Sequence, residues 1–230
     1  MIEIETLQVA GFKGAIDGMR NPFKNRDKSD SEFDDVSDGL GYIGPKDREL
    51  AQKLIRAGGD DDAKFMRMIH VQADIKAPLY WWKEMDTYKV STVANSESTM
   101  HTIQKKEFSL DDFAHEFLDK KSVEVTWSRQ SYLDSSYDCL YDTIGVLNAL
   151  RELYLHAVEV ADPDAKQIWY QMIQLLPSSY LQKRTWDANY QTLRRIYFAR
   201  KDHKLQEWKD FCIWLTGLPY GQELITYATK

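Results

Sequence analysis

The sequence has few cysteines and no long apolar run. Its two cysteines, Cys139 and Cys212, each lie inside an apolar helical pattern. We expect both to be buried free thiols, which suits the reducing cytoplasm. No apolar run approaches the roughly 18 residues of a membrane helix, and the amino terminus has no signal-peptide core. The sequence therefore predicts a soluble cytoplasmic protein with no membrane partner.

The sequence also lacks an excess of positive charge, with 30 Lys and Arg residues against 36 Asp and Glu. A net charge of −6 argues against a protein that binds duplex nucleic acid by neutralising phosphates. The five histidines are scattered without the spacing of metal ligands, so we expect no metal site. Neither a Gly-x-Gly-x-x-Gly pattern nor a phosphate-binding loop occurs. What the chain does contain is 43% hydrophobic and 13% aromatic residues, which is typical of a globular protein.

Alternating apolar and polar residues predict strands in the first half. Residues 2–9 alternate, and so do residues 65–75, with Arg67 as the exception. Residues 18–44 are rich in Asp, Ser, Asn and Gly and predict a long polar loop. A solvated loop and a lid over a site are both open interpretations of that segment.

Helical patterns dominate the second half. Prolines that suit a first helical turn predict two earlier helices, over residues 45–57 and 78–88. Apolar spacing predicts later helices at residues 135–160, 185–200, 205–215 and 222–228. Another helix is predicted after the break at 162–163 and ends near 176–177. A few strands followed by helices indicate the α+β class.

Arg67 is the first candidate for a site residue. A guanidinium on the apolar side of a strand needs a partner, and Glu84, Asp86 and Glu97 are candidates. A structural ion pair and a substrate contact are both open.

Two serines are further candidates. Ser96 and Ser98 act as nucleophiles only beside an activating base, and His101 is the only histidine close in sequence. Hydrogen bonding to a substrate, or capping of a helix or turn, is the other interpretation.

Residues 76–98 resemble the signature region of the flavin-dependent thymidylate synthases. Both run from a strand through a proline-started helix into a hydroxyl-rich segment. The family's helix ends in Arg-His-Arg, where residues 87–89 here read Thr-Tyr-Lys, and its Asn-Glu-x-Ser pattern has the residue types of Asn-Ser-Glu-Ser at 95–98. The family's His-x-Ser/Thr-x-x-Glu-His element is replaced by residues 62–68, Asp-Ala-Lys-Phe-Met-Arg-Met.

A second match follows the Leu-Pro pair at 176–177. The family has a basic residue, a tryptophan, an asparagine and an arginine in the order and spacing of Lys183, Trp186, Asn189 and Arg200. The resemblance covers about residues 46–215. It implies one domain over 1–230 with the thymidylate synthase-like α+β fold, a small sheet in the N-terminal half and a mainly helical C-terminal half.

The resemblance also implies roles for ten residues. The catalytic residues would be Arg200, on the pyrimidine ring, and Ser98. Cofactor contacts would come from Lys89, Asn95, Glu97 and Asn189. Substrate contacts would come from Lys183, Ser96, His101 and Arg67.

The function implied by the resemblance is C5-methylation of a pyrimidine nucleotide, the dUMP-to-dTMP chemistry of nucleotide biosynthesis. Such a methyltransferase would use FAD, with folate and NADPH as co-substrates, and would form a homotetramer. The replaced motifs leave a second function open, a non-catalytic nucleotide-binding or assembly protein that keeps the fold without flavin.

Overall fold

The computed structural model describes residues 2–33, 41–58, 61–127 and 130–228. Its strands are β1 (Glu3–Ala10), β2 (Glu32–Phe33), β3 (Gly41–Tyr42), β4 (His70–Pro78), β5 (Thr92–Ser96), β6 (Val123–Trp127), β7 (Gln130–Asp134) and β8 (Leu181–Asn189). Its helices are α1 (Phe12–Arg20), α2 (Pro45–Arg56), α3 (Leu79–Met85), α4 (Thr99–Thr102), α5 (Ser136–Glu159), α6 (Ala165–Leu175), α7 (Tyr190–Arg200) and α8 (Gln206–Gly217). The fold is α+β, as the sequence predicts.

The chain is divided into two compact units. The first takes residues 77–82 and 96–182, and the second takes residues 2–76, 83–95 and 183 onward. Within the ranges described, no helix has the length and apolar character needed to cross a lipid bilayer.

The first unit has a helical core. Its α5 is capped by Ser135, whose side chain accepts a hydrogen bond from the Asp138 backbone N–H at 3.0 Å. Such a cap satisfies one of the N–H groups that a helix start leaves open. The buried side chains that form the hydrophobic core of this unit are Ile103, Phe108, Phe113, Leu140, Ile144, Leu147 and Met172. The β6 and β7 strands pair antiparallel as a hairpin.

The second unit is organised around a four-stranded sheet in the order β1-β4-β8-β5. β1 and β4 pair antiparallel, with Glu3 opposite Lys76 and Ala10 opposite His70. Val71, Ala73 and Ile75 of β4 are fully buried and alternate with more exposed residues, as expected for a strand that packs one face on a core. Phe12 of α1 contacts Tyr190 of α7 edge to face, with ring centroids 5.5 Å apart.

The predicted strand over residues 65–75 is only partly correct. Residues Lys64–Met68 form a 3₁₀ turn, and β4 begins at His70. Phe65 and Met66 are consecutive and both buried, which a strand with one solvated face does not allow. Arg67 therefore projects from a turn and is exposed.

The predicted helix over residues 185–200 is wrong in its first part. β8 runs to Asn189, and α7 begins at Tyr190. Trp186 and Ala188 are both buried and lie two positions apart, which is the period of a strand. The helix α1 is not among the sequence predictions, and residues 222–228 give a π-helical turn at Gly221–Ile225 in place of a short α-helix.

The described part of the predicted loop at 18–44 is structured. It contains the end of α1, the 3₁₀ turns Asn21–Phe23 and Arg26–Lys28, and the paired strands β2 and β3. Residues 34–40 of this predicted loop lie outside the described residues.

Asp47, which is fully buried in α2, holds this segment in place. Its Oδ1 accepts a hydrogen bond from Arg20 Nε at 2.5 Å, and its Oδ2 accepts from the Ser29 and Ser31 hydroxyls at 2.6 Å each. Burial alone would raise the pKa of Asp47, but the hydrogen bonds from Ser29, Ser31 and Arg20 and the Arg20 charge outweigh it and hold the pKa below its ordinary value. The polar segment is therefore tied to α2.

The two thiols differ in their surroundings. Cys212 is buried in α8, as predicted, whereas Cys139 is exposed on α5. The expectation of two buried thiols is wrong for Cys139, because it lies on the solvent side of the first helical turns.

Candidate functional site

A polar cavity of about 240 Å³ opens at the amino end of α7. We call it the α7 cavity, and its polar lining comes from Arg67, Ser91, Asn189, Gln191, Thr192 and Arg195. None of the described residues that line it is acidic. The surroundings therefore favour an anionic ligand.

The residues at the junction of β8 and α7 position one wall of this cavity. Asn189 ends β8 and caps α7, because its Oδ1 accepts a hydrogen bond from the Thr192 backbone N–H at 2.9 Å. Asn189 is 3% exposed, so its amide is held rigidly at the helix start. The Thr192 hydroxyl lies 3.4 Å from the Val90 carbonyl oxygen, which places the turn at Val90 and Ser91 beside the helix.

Two arginines supply the charge of the α7 cavity. Arg67 comes from the 3₁₀ turn before β4, and its Nε donates a hydrogen bond to Gln191 Oε1. Arg195 lies four residues beyond Gln191, on the same face of α7, and is exposed. Guanidinium groups bind phosphate or carboxylate oxygens in a bidentate manner. The positive end of the helix dipole adds to their effect.

A larger cavity of about 530 Å³ shares Arg67 with the α7 cavity. Its apolar wall includes Met19, Leu54, Phe65 and Met68, and its lining also contains the acidic side chains of Asp61 and Asp62. The two cavities together offer cationic donors next to an apolar surface, and Arg67 belongs to both.

Arg200 lies in a different cluster. Its Nη1 is 2.8 Å from Glu84 Oε2, and its Nε donates to the Tyr88 hydroxyl at 2.8 Å. The Trp208 indole N–H donates to the same Glu84 oxygen at 2.8 Å, and the Arg200 guanidinium carbon lies 4.7 Å from the Trp208 ring centroid. His203 Nε2 is 3.5 Å from that oxygen as well. The guanidinium is thus fixed in orientation, and its side chain keeps 19% exposure.

Lys183 lies on β8 and forms an ion pair with Asp74 of β4 at 2.6 Å. Hydrogen bonds from Lys183 and from Thr185 hold the pKa of Asp74 below its ordinary value. Lys89 and Asn95 are exposed, in the turn before β5 and on β5 itself. Of the predicted residues in the second unit, Arg67 and Asn189 share the α7 cavity, whereas Lys89, Asn95, Lys183 and Arg200 do not line it.

The other four predicted residues belong to the first unit. Ser96, Glu97, Ser98 and His101 are all exposed. Ser98 stands at the N-cap position of α4 without a side-chain cap. Its backbone carbonyl oxygen accepts the His101 backbone N–H at 3.1 Å, but among the described residues no side-chain hydrogen bond joins the Ser98 hydroxyl to a histidine. His101 borders a cavity of about 350 Å³ together with Tyr154 and Trp169.

Sequence reasoning missed Gln191 and Arg195 as cavity residues, and Glu84 and Tyr88 as partners of Arg200. A signal for the first pair was present, because Asn189 is a good N-cap residue. A helix that begins at Tyr190 puts positions 191 and 195 on one face at its amino end. The Arg200 cluster joins residues more than 100 positions apart, which no local pattern predicts.

No protein-family model matches the sequence, and no curated relative matches it. Among solved structures, it is similar to Thymidylate Synthase X (ThyX) from Helicobacter pylori with FAD and dUMP, with a TM-score of 0.64, 16% identity and 100% of both chains covered. A second Helicobacter pylori structure with FAD and dUMP gives a TM-score of 0.63 at 16% identity, over 96% of this chain and 97% of that one. A UMP/dUMP methylase, PolB from Streptomyces cacaoi, bound with 5-Br dUMP, gives a TM-score of 0.58 at 13% identity, over 97% and 93%. The chain therefore has the fold of the flavin-dependent thymidylate synthases, which confirms the fold that the sequence predicts.

Proposed function

We propose that this protein is a flavin-dependent enzyme that methylates carbon 5 of a pyrimidine nucleotide, with chemistry of the dUMP-to-dTMP type. The observation that carries the proposal is the α7 cavity, in which Arg67, Arg195 and the rigid Asn189 amide surround a space where none of the described lining residues is acidic. It occurs in a fold shared along its whole length with a protein solved with FAD and dUMP.

The donor set fits FAD. This cofactor joins two flat ring systems through a diphosphate, so it requires cationic donors beside an apolar surface. Arg67 and Arg195 would hold the diphosphate, Asn189 would donate from its amide, and Phe65 and Met68 would contact a ring. When bound, reduced flavin supplies a hydride, and a folate supplies the one-carbon unit.

Arg200 is our proposed contact for the pyrimidine ring. Glu84 and Tyr88 already hold its guanidinium, so little reorganisation is needed when a base binds. A preorganised positive charge stabilises the negative charge that develops on a pyrimidine oxygen while carbon 5 attacks. In this assignment Glu84 and Tyr88 are positioning residues.

The remaining assignments are part of the same proposal. Lys89 and Lys183 would bind phosphates, and Asn95, Glu97, Ser96, Ser98 and His101 would complete the cofactor and substrate contacts. NADPH as reductant, cytoplasmic location and assembly into a homotetramer are the further properties that the resemblance implies.

Flavin binding is the first test. We expect purified protein to show the flavin absorbance bands, or to quench FAD fluorescence after reconstitution. Arg67→Ala and Arg195→Ala should each weaken FAD binding by about tenfold or more, because each removes a charge-assisted contact. Arg48→Ala is the matched control, since Arg48 lies on α2 and lines neither cavity. Colourless protein that binds neither FAD nor dUMP after reconstitution would overturn the proposal.

Turnover is the second test. The protein is incubated with dUMP, methylene-tetrahydrofolate, NADPH and FAD, and dTMP is measured by mass spectrometry. Arg200→Lys keeps the charge but loses the guanidinium geometry, so we expect at least about a tenfold lower kcat/KM for dUMP. Unchanged kcat/KM in Arg200→Lys would remove Arg200 from the base-binding role.

A further inference from the structure

A third cavity of the second unit, of about 380 Å³, lies between α2 and the segment of residues 20–28. We call it the basic groove. It shares no residue with the α7 cavity or with the 530 Å³ cavity. Pockets of a few hundred cubic ångströms are the usual size of small-molecule sites. The basic groove therefore requires its own explanation.

The charge of the basic groove is unusual for a protein with a net charge of −6. Lys46 and Lys53 lie two turns apart on one face of α2, and Lys28 faces them from the second 3₁₀ turn. In the part of the chain that the structure describes, none of the three forms an ion pair. Glu49 is the one carboxylate among the described lining residues. The ammonium groups thus retain their capacity to bind an anion.

The groove is a built feature of the fold. Arg20, at its base, is 4% exposed and is neutralised by the buried Asp47. Asp30 accepts hydrogen bonds from the backbone N–H groups of Lys46 and Asp47 at 2.9 and 3.1 Å, which fastens the loop to the start of α2. Both walls are therefore held in a fixed spacing before any ligand arrives.

Two further side chains restrict the ligand. Asn25 Oδ1 is buried and receives no hydrogen bond from the described residues, so it is an acceptor that lacks a donor. Phe23 is 53% exposed in the same groove, and its ring offers a flat apolar surface. The ligand that satisfies all of these groups carries an anion, a hydrogen-bond donor and a ring.

We infer that the basic groove binds a nucleoside phosphate at a site separate from the α7 cavity. The lysines contact the phosphates, the Phe23 ring stacks on the base, and Asn25 Oδ1 accepts a hydrogen bond from a ligand hydroxyl or amino group. The inference does not rest on the proposed enzyme activity, because it involves other residues. It gives the protein a nucleotide site whose lining residues are separate from those of the α7 cavity.

Affinity labelling tests the location. Pyridoxal 5′-phosphate carries a ring, a phosphate and an aldehyde, which condenses with a lysine amine with loss of water. Borohydride then reduces the imine, and peptide mass spectrometry locates the label. We expect Lys28, Lys46 or Lys53 to be labelled before the exposed Lys209 of α8, and ATP to protect them. Labelling without preference, or without protection by ATP, overturns the inference.

Two comparisons sharpen the result. Inorganic phosphate at the same concentration as ATP should protect far less, and equal protection would mean an adventitious anion site only. In equilibrium dialysis with ATP, the double variant Lys46→Ala/Lys53→Ala should lose binding by about tenfold or more, whereas Lys209→Ala should not. Arg67→Ala should leave the groove labelling unchanged, so failure of the proposed function and failure of this inference are distinguishable.

Discussion

Arg200 and Glu84 form an ion pair across 116 positions of the sequence, with Nη1 2.8 Å from Oε2. The same carboxylate oxygen accepts the indole N–H of Trp208, whose side chain is fully buried. One glutamate therefore joins α3, α7 and α8 and sets the direction of the arginine.

Replacing Glu84 should weaken the fold. Glu84→Ala removes the acceptor of both Arg200 and Trp208, and we expect a loss of about 1–3 kcal/mol in the free energy of unfolding. Glu84→Gln keeps one carbonyl acceptor and should lose about half of that. Urea unfolding followed by tryptophan fluorescence measures both. Wild-type stability in Glu84→Ala would show that the pair contributes nothing.

Asp47 should make stability depend on pH. Its pKa is lowered in the folded protein, so the ionised group stabilises fully above the unfolded value of about 3.9. That stabilisation is lost as the pH falls through the lower folded pKa. Asp47→Asn lacks this component, so its stability should fall less steeply below about pH 4. At pH 7 it should be lower by about 3 kcal/mol, since a buried ion pair is broken. Parallel pH curves for the two proteins would contradict the assignment.

Two glycines should respond in opposite ways to alanine. Gly11 has φ 98°, and a Cβ there would lie 1.9 Å from the Met68 carbonyl oxygen, so Gly11→Ala should cost about 3 kcal/mol or more or prevent folding. Gly145 is an exposed position of α5 where a Cβ meets no atom within 4 Å. Gly145→Ala should stabilise by about 0.5–1 kcal/mol. Thermal unfolding of both variants, compared with wild type, checks the sign of each effect.

The two thiols should react at different rates. Burial, with a smaller contribution from Asp202, raises the pKa of Cys212 to about 11, so little thiolate forms at pH 8. Cys139 is exposed. We expect one thiol per chain to react with a disulfide reagent at once, and the second only after denaturation. Cys139→Ser should abolish the fast phase, and a fast phase that persists in this variant would place it at Cys212.

Asn189 should have separable structural and binding effects. Asn189→Ala removes the cap of α7 and should cost about 1 kcal/mol of stability. Asn189→Ser restores a capping oxygen but not the amide, so it should recover stability without recovering ligand affinity. Thermal unfolding together with FAD titration measures the two effects. Recovery of both in Asn189→Ser would show that the amide does not contact the ligand.

The elements with a long, simple period were predictable. Pro45 and the apolar spacing after it predict α2, and the spacing after Ser135 predicts α5, because each helix buries one face over several turns. The boundary at Asn189 was missed because α7 follows β8 without an intervening turn. The apolar residues of the strand and those of the helix were therefore interpreted together as the face of one helix.

The candidate site was less accessible to sequence reasoning. Asn189 and Arg67 were identified as candidates and do share the α7 cavity. The strand argument for Arg67 was wrong, since the residue projects from a 3₁₀ turn and donates to Gln191. Contacts such as that of Arg67 with Gln191 span 124 positions, and only tertiary packing creates them.

The strand order has a consequence for how the chain folds during synthesis. β8 lies between β4 and β5 in the sheet, and Thr185 of β8 donates to Asp74 of β4 across 111 positions. Such distant pairing carries a high loop-closure cost and is slow. As the chain leaves the ribosome, β4 and β5 precede the strand that separates them, and their facing edges stay open until β8 emerges. Nearly all of the unit formed largely by residues 96–182 precedes β8 in the chain, so it is free to fold first and shorten the search for the final strand.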